Sequence, residues 1–334
     1  MNTLKYLFGL ILLFSALVPL AVAQQAVEAT ADVTIRAGAK KWPESNRWTA
    51  TVKRGGEDRA SYTLEKEVPY GAPYPAIQTI DPDGRSLVVD SFDGVVELYD
   101  SRGSLVSTWK PFSGCRPDHE RILKCLPVKN GVVFLCSDPG SGSARLIKTD
   151  IRLGVLWTRT LSGSLAGELA VSGDGGIFAV CSYSSDPEFR FETLIMEADG
   201  GVLRVVPSVF RTGDFDDEGN QFLLTDGRCV FMGNLRGNLT VATWRVPEKE
   251  NVVSCARLIP GGGSLAVLQR VKADINGLLY VEPQLLALNS EAHLVGRRSL
   301  EGESERQATL SLDSGKVTVG VGDVSFQCSL SDLK

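Results

Sequence analysis

Histidine is almost missing from this chain: its 334 residues hold 2, His119 and His293. A serine or cysteine nucleophile needs an imidazole or similar base beside it, so the shortage works against that class of hydrolase. His119 lies in RPDHER and His293 in NSEAHL, both loop-like, and neither sits near a G-x-S-x-G turn. Cys115 and His119 are the one pair close enough in sequence to form a dyad, and both read more simply as loop residues. No CxxC occurs, which removes a redox motif and a zinc ribbon. No basic excess occurs either. Lys plus Arg is 35 and Asp plus Glu is 40, a net charge of −5, so the electrostatic footprint of a nucleic-acid binder is lacking. No charge run is long enough to be a binding tail. Finally, no stretch keeps a 3.6-residue apolar stripe over about a dozen residues, so long helices are not expected.

The longest apolar run is at the start. Lys5 supplies a basic head, and Leu7 to Leu20 is apolar except for Gly9, Ser15 and Pro19. Ala21-Val22-Ala23 then offers small residues where a signal peptidase reads, leaving Gln24 as the new N-terminus. This predicts an exported protein, periplasmic or secreted, with a signal peptide over 1–23. The alternative is an uncleaved anchor, for which the run is short. No lipobox cysteine follows, and no later segment is apolar enough for a membrane span. Residues 24–46 read as a flexible entry, and 47–334 as a single domain.

What is abundant is glycine, 34 residues, much of it in paired turn signals. Asp83-Gly84, Asn130-Gly131, Asp174-Gly175, Glu218-Gly219, Gly261-Gly262 and Ser314-Gly315 each precede an apolar run: SLVVD, VVFLC, IFAVC, QFLLT, SLAVL and KVTVG. Such pairs supply the positive φ of tight hairpins. The second residues of successive pairs lie 47, 44, 44, 43 and 53 positions apart. Each pair is also preceded by a short strand-like run: AIQTI, ILKCL, ELAVS, RTGDF, CARLI and ATLSL. A period near 44 with four short strands per unit predicts an all-β fold, a β-propeller of about six four-stranded blades. The last unit has room for about three strands. A hairpin around Gly55-Gly56 is placed to complete it, closing the ring with strands from both termini and removing an exposed edge. Seven blades result if that hairpin and the C-terminal segment belong to different units. Trp109, Trp157 and Trp244 end the fourth-strand runs and read as wedges between blades.

There are 7 cysteines. Cys136, Cys181, Cys229, Cys255 and Cys328 sit inside apolar runs and read as packing residues. Cys115 and Cys125 frame a loop, and export would permit a bridge between them.

The segment IDPDGRSLVVDSFDGVVELYDSRGSLVSTW (80–109) resembles an NHL-type or gluconolactonase-type propeller blade, with its Asp-x-x-Gly turn, apolar strand and second Asp-x-x-Gly turn. GDFDDEGNQFLLT (213–225) is similar to the same core, and LIKTDIRLGVLWTRTL (146–161) is closer to the quinoprotein-type repeat. These resemblances imply blades and no particular activity. A gluconolactonase-like metal site would draw on carboxylates in connections, such as Asp90, Asp138, Asp186, Glu188 and Asp274, but that family's ligand set has no residue-by-residue match. The run Asp214-x-Asp216-Asp217-Glu218-Gly219 partly matches a calcium loop. Thr225 stands where the closing bidentate glutamate belongs, and a turn is the better reading.

No catalytic, cofactor or metal residue is therefore assigned; calcium is the one metal considered. The departures from the blade template are the connections. Tyr70, Tyr74, Phe92, Phe112, Tyr183 and Phe189 fall in or beside them, with Arg116, Arg190, Arg270 and Lys272. Aromatic and arginine residues are enriched in binding hot spots. Phe112, Arg116, Tyr183, Phe189, Arg190, Arg270 and Lys272 are the expected contact residues of a monomeric, non-catalytic scaffold for a protein, peptide or glycan partner. The alternatives are a metal-dependent hydrolase or lactonase at the central channel and an envelope assembly scaffold of quinoprotein-like type. The sequon Asn238-Leu239-Thr240 matters only if the source glycosylates exported proteins.

Overall fold

A computed structural model describes residues 31–38, 46–54, 60–69, 72, 74–81, 84–91, 93–111, 121–138, 143–163, 165–184, 190–216, 219–236, 241–274 and 277–333. The segment expected to be a signal peptide (1–23), Cys115, His119, Asp186, Glu188 and the sequon lie outside these residues.

The described chain is all-β except for one 3-10 turn, Leu330–Leu333. Its strands form seven antiparallel sheets in chain order, called A to G here. Sheet A holds β1 (Ala31–Gly38), β2 (Asn46–Arg54) and β3 (Ala60–Val68). Sheet B holds β4 (Ala76–Thr79), β5 (Ser86–Asp90), β6 (Val95–Tyr99) and β7 (Leu105–Trp109). Sheet C runs β8 (Arg121–Val128), β9 (Gly131–Asp138), β10 (Ser143–Thr149), β11 (Val155–Thr160). Sheet D runs β12 (Leu165–Val171), β13 (Ile177–Ser184), β14 (Arg190–Glu197), β15 (Val202–Val206). Sheet E runs β16 (Thr212–Phe215), β17 (Gln221–Thr225), β18 (Cys229–Asn234), β19 (Val241–Arg245). Sheet F runs β20 (Asn251–Leu258), β21 (Ser264–Asp274), β22 (Gly277–Leu288), β23 (Leu294–Ser299). Sheet G holds β24 (Thr309–Asp313), β25 (Lys316–Val321) and β26 (Val324–Ser329).

Two expectations change. Residues 24–46 contain β1, which pairs with β2 from Ala31↔Arg54 to Gly38↔Arg47. The N-terminal hairpin therefore belongs to a sheet with β1, and among the described residues β24, β25 and β26 pair with one another and not with it. The physical reason is the alternation Asp32-Val33-Thr34-Ile35-Arg36, a strand pattern without a following Asp-Gly turn.

The second strand of each middle sheet explains the order of the sheets. It is apolar on both faces, and each face packs on a different neighbour. On β9, Val132, Phe134 and Cys136 face sheet B, while Val133 and Leu135 face sheet D. On β13, Phe178 and Val180 face sheet C, while Ile177, Ala179 and Cys181 face sheet E. On β21, Ala266 and Leu268 face sheet E, while Leu265 and Val267 face sheet G. Six apolar clusters thus join the seven sheets in sequence, the first built on Trp48 and Val88 between sheets A and B. The tryptophans act as the expected wedges: Trp109 meets Phe134 of the next sheet at 4.9 Å and Trp157 meets Phe178 at 6.3 Å. Lys148 adds a polar clasp between sheets C and D. Its buried ammonium donates to Lys129 O at 3.0 Å and Ala198 O at 2.5 Å, and burial lowers its pKa.

The third turn of the repeat is closed by a side chain. Asp100 Oδ1 accepts from the N–H of Arg102 and Ser104, at 2.9 and 2.8 Å. Asp150 does the same for Arg152 and Gly154, and Asn289 for Glu291 and His293. Three positions beyond each acceptor, Gly103, Leu153 and Ala292 have φ of 80°, 69° and 61°. Gly103 is also sterically required, since a Cβ there would come within 2.8 Å of the Tyr62 ring.

These turns make two predictions. The amides of Ser104 and Arg102 hold the Asp100 carboxyl below its usual pKa. Its contribution is therefore complete above the unfolded pKa of about 3.9 and is lost as pH falls through the lower folded value. Asp100→Ala lowers the melting temperature at neutral pH. Asp100→Asn keeps the acceptor, as Asn289 does, and flattens the fall in melting temperature between about pH 5 and pH 2. Gly103→Ala forces both the positive φ and the Tyr62 clash, and costs at least about 1–3 kcal/mol by denaturant titration.

Candidate functional site

Two regions carry chemistry: the row of first strands, and the end of the sheets where second strands turn into third strands. β8, β12, β16, β20 and β24 lie side by side in that order. Polar side chains link them across the sheet boundaries. The Cys125 thiol on β8 donates to Gln78 Oε1 on β4 at 3.7 Å. Lys124 on β8 forms an ion pair with Glu168 on β12. Asp214 on β16 meets Arg257 Nη1 on β20 at 3.7 Å, and its Oδ2 accepts from Leu258 N–H at 2.7 Å. Arg257 Nε reaches on to Leu310 O of β24 at 3.3 Å. Gln269 Oε1 accepts from Ser254 Oγ and Ala308 N–H, at 2.5 and 2.8 Å, joining sheets F and G.

Local backbone irregularity positions these groups. Ladders are shifted between Ile122 and Lys124, Ala166 and Leu169, and Val253 and Cys255. Each bulge re-aims the residues that follow it. At the second one, Glu168 N–H bonds Cys181 Sγ at 3.0 Å instead of a ladder carbonyl. Gly167 is needed there, because a Cβ would lie 2.5 Å from that sulfur.

The belt holds two cations and two anions, each beside an opposite charge. Its carboxylates are thus engaged by the protein itself. The acidic run considered as a calcium loop is divided between two tasks. Asp214 faces Arg257, whereas Asp216 Oδ1 closes its own turn on Asn220 and Gln221 N–H, at 2.6 and 2.8 Å. Asp217 and Glu218 lie outside the described residues. No group of three or more His, Cys, Asp and Glu side chains is arranged for a metal among the described residues.

Five of the described thiols are poor nucleophiles. Burial pushes Cys125, Cys136 and Cys255 up to about 12, and raises Cys181 and Cys229 as well. A thiol, not a thiolate, is present at neutral pH. Cys125 is a free thiol, and Cys115, the partner considered for it, lies outside the described residues. His293 is exposed and lies 3.4 Å from Glu291.

At the hairpin end, the expected contact residues divide into two groups. Tyr183 pairs across the ladder with Phe191 and sits one position from the Ser184↔Arg190 pair that ends the β13–β14 hairpin. Tyr183 is half-buried, with its hydroxyl pKa raised by that burial, and Arg190 is exposed. Arg270 and Lys272 lie on β21, two residues apart and on one face of the strand, with sheet E between them and sheet D. Lys272 is exposed. Arg270 is engaged within the chain: it bonds Glu250 at 2.6 Å and approaches Glu282 at 3.6 Å, and these carboxylates raise its pKa. Phe112, Arg116, Phe189, Tyr70 and Phe92 lie outside the described residues.

The belt was missed in the sequence, although a signal was present. Lys124 in ILKCL, Glu168 in GELAV, Asp214 in TGDF and Arg257 in CARLI each put one charge into the first-strand run of a unit. A charge recurring inside a run of small and apolar residues calls for a partner on a neighbouring strand.

Comparison with known proteins gives no function. No family model matches the chain, and no curated protein matches it. Among solved structures it is similar to a protein of unknown function from Bacteroides caccae. That match has a TM-score of 0.40 and 12% identity, covering 80% of this chain and 93% of the other.

The belt makes one prediction. Lys124→Met and Glu168→Gln each destabilise the protein, and the double variant loses less than the sum. A double-mutant cycle by denaturant unfolding should return a coupling of about 0.2–1 kcal/mol.

Proposed function

We propose that the chain is an exported, non-catalytic β-propeller that binds a protein, peptide or glycan partner through connections on one rim. The seven sheets are read as seven blades, with sheets A and G, each a strand short, meeting to close the ring. One observation carries the binding reading. In an up-and-down sheet, the second-to-third hairpins and the sheet-to-sheet connections come to the same end. That end carries Tyr183, Arg190 and Lys272 on hairpins of unequal length, from Asp226-Gly227-Arg228 in sheet E to the long arm of sheet F. A rim with aromatic and cationic groups on varied loops is the usual form of a recognition surface. The first-strand charges are already paired with one another, which favours the rim over the belt as the place for a ligand.

The reading is tested by affinity capture from envelope extract and by a glycan array, comparing wild type with Arg190→Glu/Lys272→Glu. The expected result is a retained partner whose binding falls at least tenfold in the double variant while the melting temperature is unchanged. Equal retention by both proteins overturns the assignment of the rim. Chelator should leave the melting temperature unchanged; a large drop on chelation would instead favour metal-dependent chemistry.

A further inference from the structure

Seven sheets in a closed ring need seven junctions, and six apolar clusters join them. The seventh junction, between sheets G and A, has different residues available to it. On β2, Trp48, Ala50 and Val52 are buried against sheet B, and the alternate positions are Arg47, Thr49, Thr51 and Lys53. β3 continues this second face with Thr63 and Glu65. The Thr51 and Thr63 hydroxyls lie 3.4 Å apart, and Arg47 forms an ion pair with Glu65. Sheet G is one-sided in the same way. Val317, Val319 and Val321 on β25 are buried against sheet F, while Thr318 lies in register with Ser311 on one side and Gln327 on the other. Thr309, Ser311, Ser325 and Gln327 are exposed. Among the described residues of β2, β3, β24, β25 and β26, no apolar side chain stands on either second face. The interior second strands differ, as β13 is buried from Ile177 to Ser182 on both faces.

The frame of sheet A adds to this contrast. β3 is an edge strand, so it is either the first or the fourth of its sheet. Tyr62, near its start, donates to Gly84 O at 2.8 Å and lies against Gly103, in the first and third turns of sheet B. Trp157 of the fourth strand β11 lies in the same way against Gly200, in the third turn of sheet D. β3 is thus a fourth strand, and sheet A holds strands two to four. Sheet G, with β24 in the row of first strands, holds strands one to three. The polar belt runs from Gln78 on β4 to Leu310 on β24, and among the described residues it takes nothing from sheet A.

We propose that the junction of sheets G and A is a hydrated seam that parts while the six apolar junctions stay closed. The proposal rests on the reading of the seven sheets as a closed ring. Bringing one polar face onto another exchanges hydrogen bonds to water for hydrogen bonds of similar strength, so the contact brings little net gain. Every other junction buries several large apolar side chains, and parting it would return them to water. Parting of the seam breaks no apolar cluster and no link of the belt. It opens the row of first strands from the side, between β24 and β4.

The test is native-state hydrogen exchange of the full chain, read by mass spectrometry before and after amine cross-linking. Lys53 and Lys316 stand on the two polar faces, and a lysine-specific cross-linker should join them. Without the cross-link, the amides of β2, β3, β25 and β26 should exchange at least about tenfold faster than those of β9, β13 and β17. With it, sheets A and G should regain protection together. A cross-link accompanied by exchange as slow as in the interior sheets overturns the seam and leaves the closed ring standing. Fast exchange that the cross-link does not slow is fraying of each terminal sheet by itself, and also overturns the seam. Absence of the Lys53–Lys316 cross-link removes the closed ring, and the seam with it.

Discussion

Every middle sheet of this protein is apolar on both faces, and the remaining features follow from that. A strand such as β13, with Phe178 and Val180 on one face and Ile177, Ala179 and Cys181 on the other, is stable only between two neighbours. Burying one large apolar side chain contributes about 1.5–3 kcal/mol, and each interface buries several. A single polar link such as Lys124–Glu168 joins partly exposed side chains and contributes far less. Apolar packing therefore sets the order of the sheets. The first-strand belt and the Lys148 clasp set how neighbouring sheets are aligned.

The same constraint explains what could be read before the structure. Each first-hairpin turn has to be tight, so Asp-Gly and similar pairs recur at a nearly fixed period, and each second strand has to be continuously apolar. Both signals are local, and both located the units from Ser86 to Val321. Sheet A escaped the count because no Asp-Gly pair stands between β1 and β2, and the alternation of β1, Val33 and Ile35, spans only eight residues. The belt escaped because its meaning is not local. Glu168 and Lys124 are 44 positions apart, one repeat length, and only stacking of the sheets brings them together. The bulges that aim them depend on Gly167 and on the Cys181 sulfur, a contact no spacing rule reports.

The site residues show a similar division. Loops that depart from the template were a sound guide to where the hairpins end, since Tyr183, Arg190, Arg270 and Lys272 all lie near those ends. Sequence could not reveal which of them are already occupied. Arg270 reads as a free cation in LQRVKADING, yet Glu250 comes from the connection after sheet E and Glu282 from the returning strand, and both hold it. Lys272, two residues on, stands above the level of the neighbouring strand, where the β20 pairing has ended at Asn251↔Arg270. The difference lies in the register of the strands rather than in residue type.

An array of two-sided sheets leaves two kinds of surface for partners, and they differ in physical character. The loop end offers side chains of varied length, and specificity there depends on the particular residues each hairpin presents. The outer edge offers backbone, identical in kind from sheet to sheet, and would pair indiscriminately if left open. A proline after the strand, a basic residue on it or a covering turn restrains that tendency, as Arg159 does on β11. An edge left open is an aggregation hazard unless something satisfies it, so the outer strands are as constrained in sequence as the inner ones.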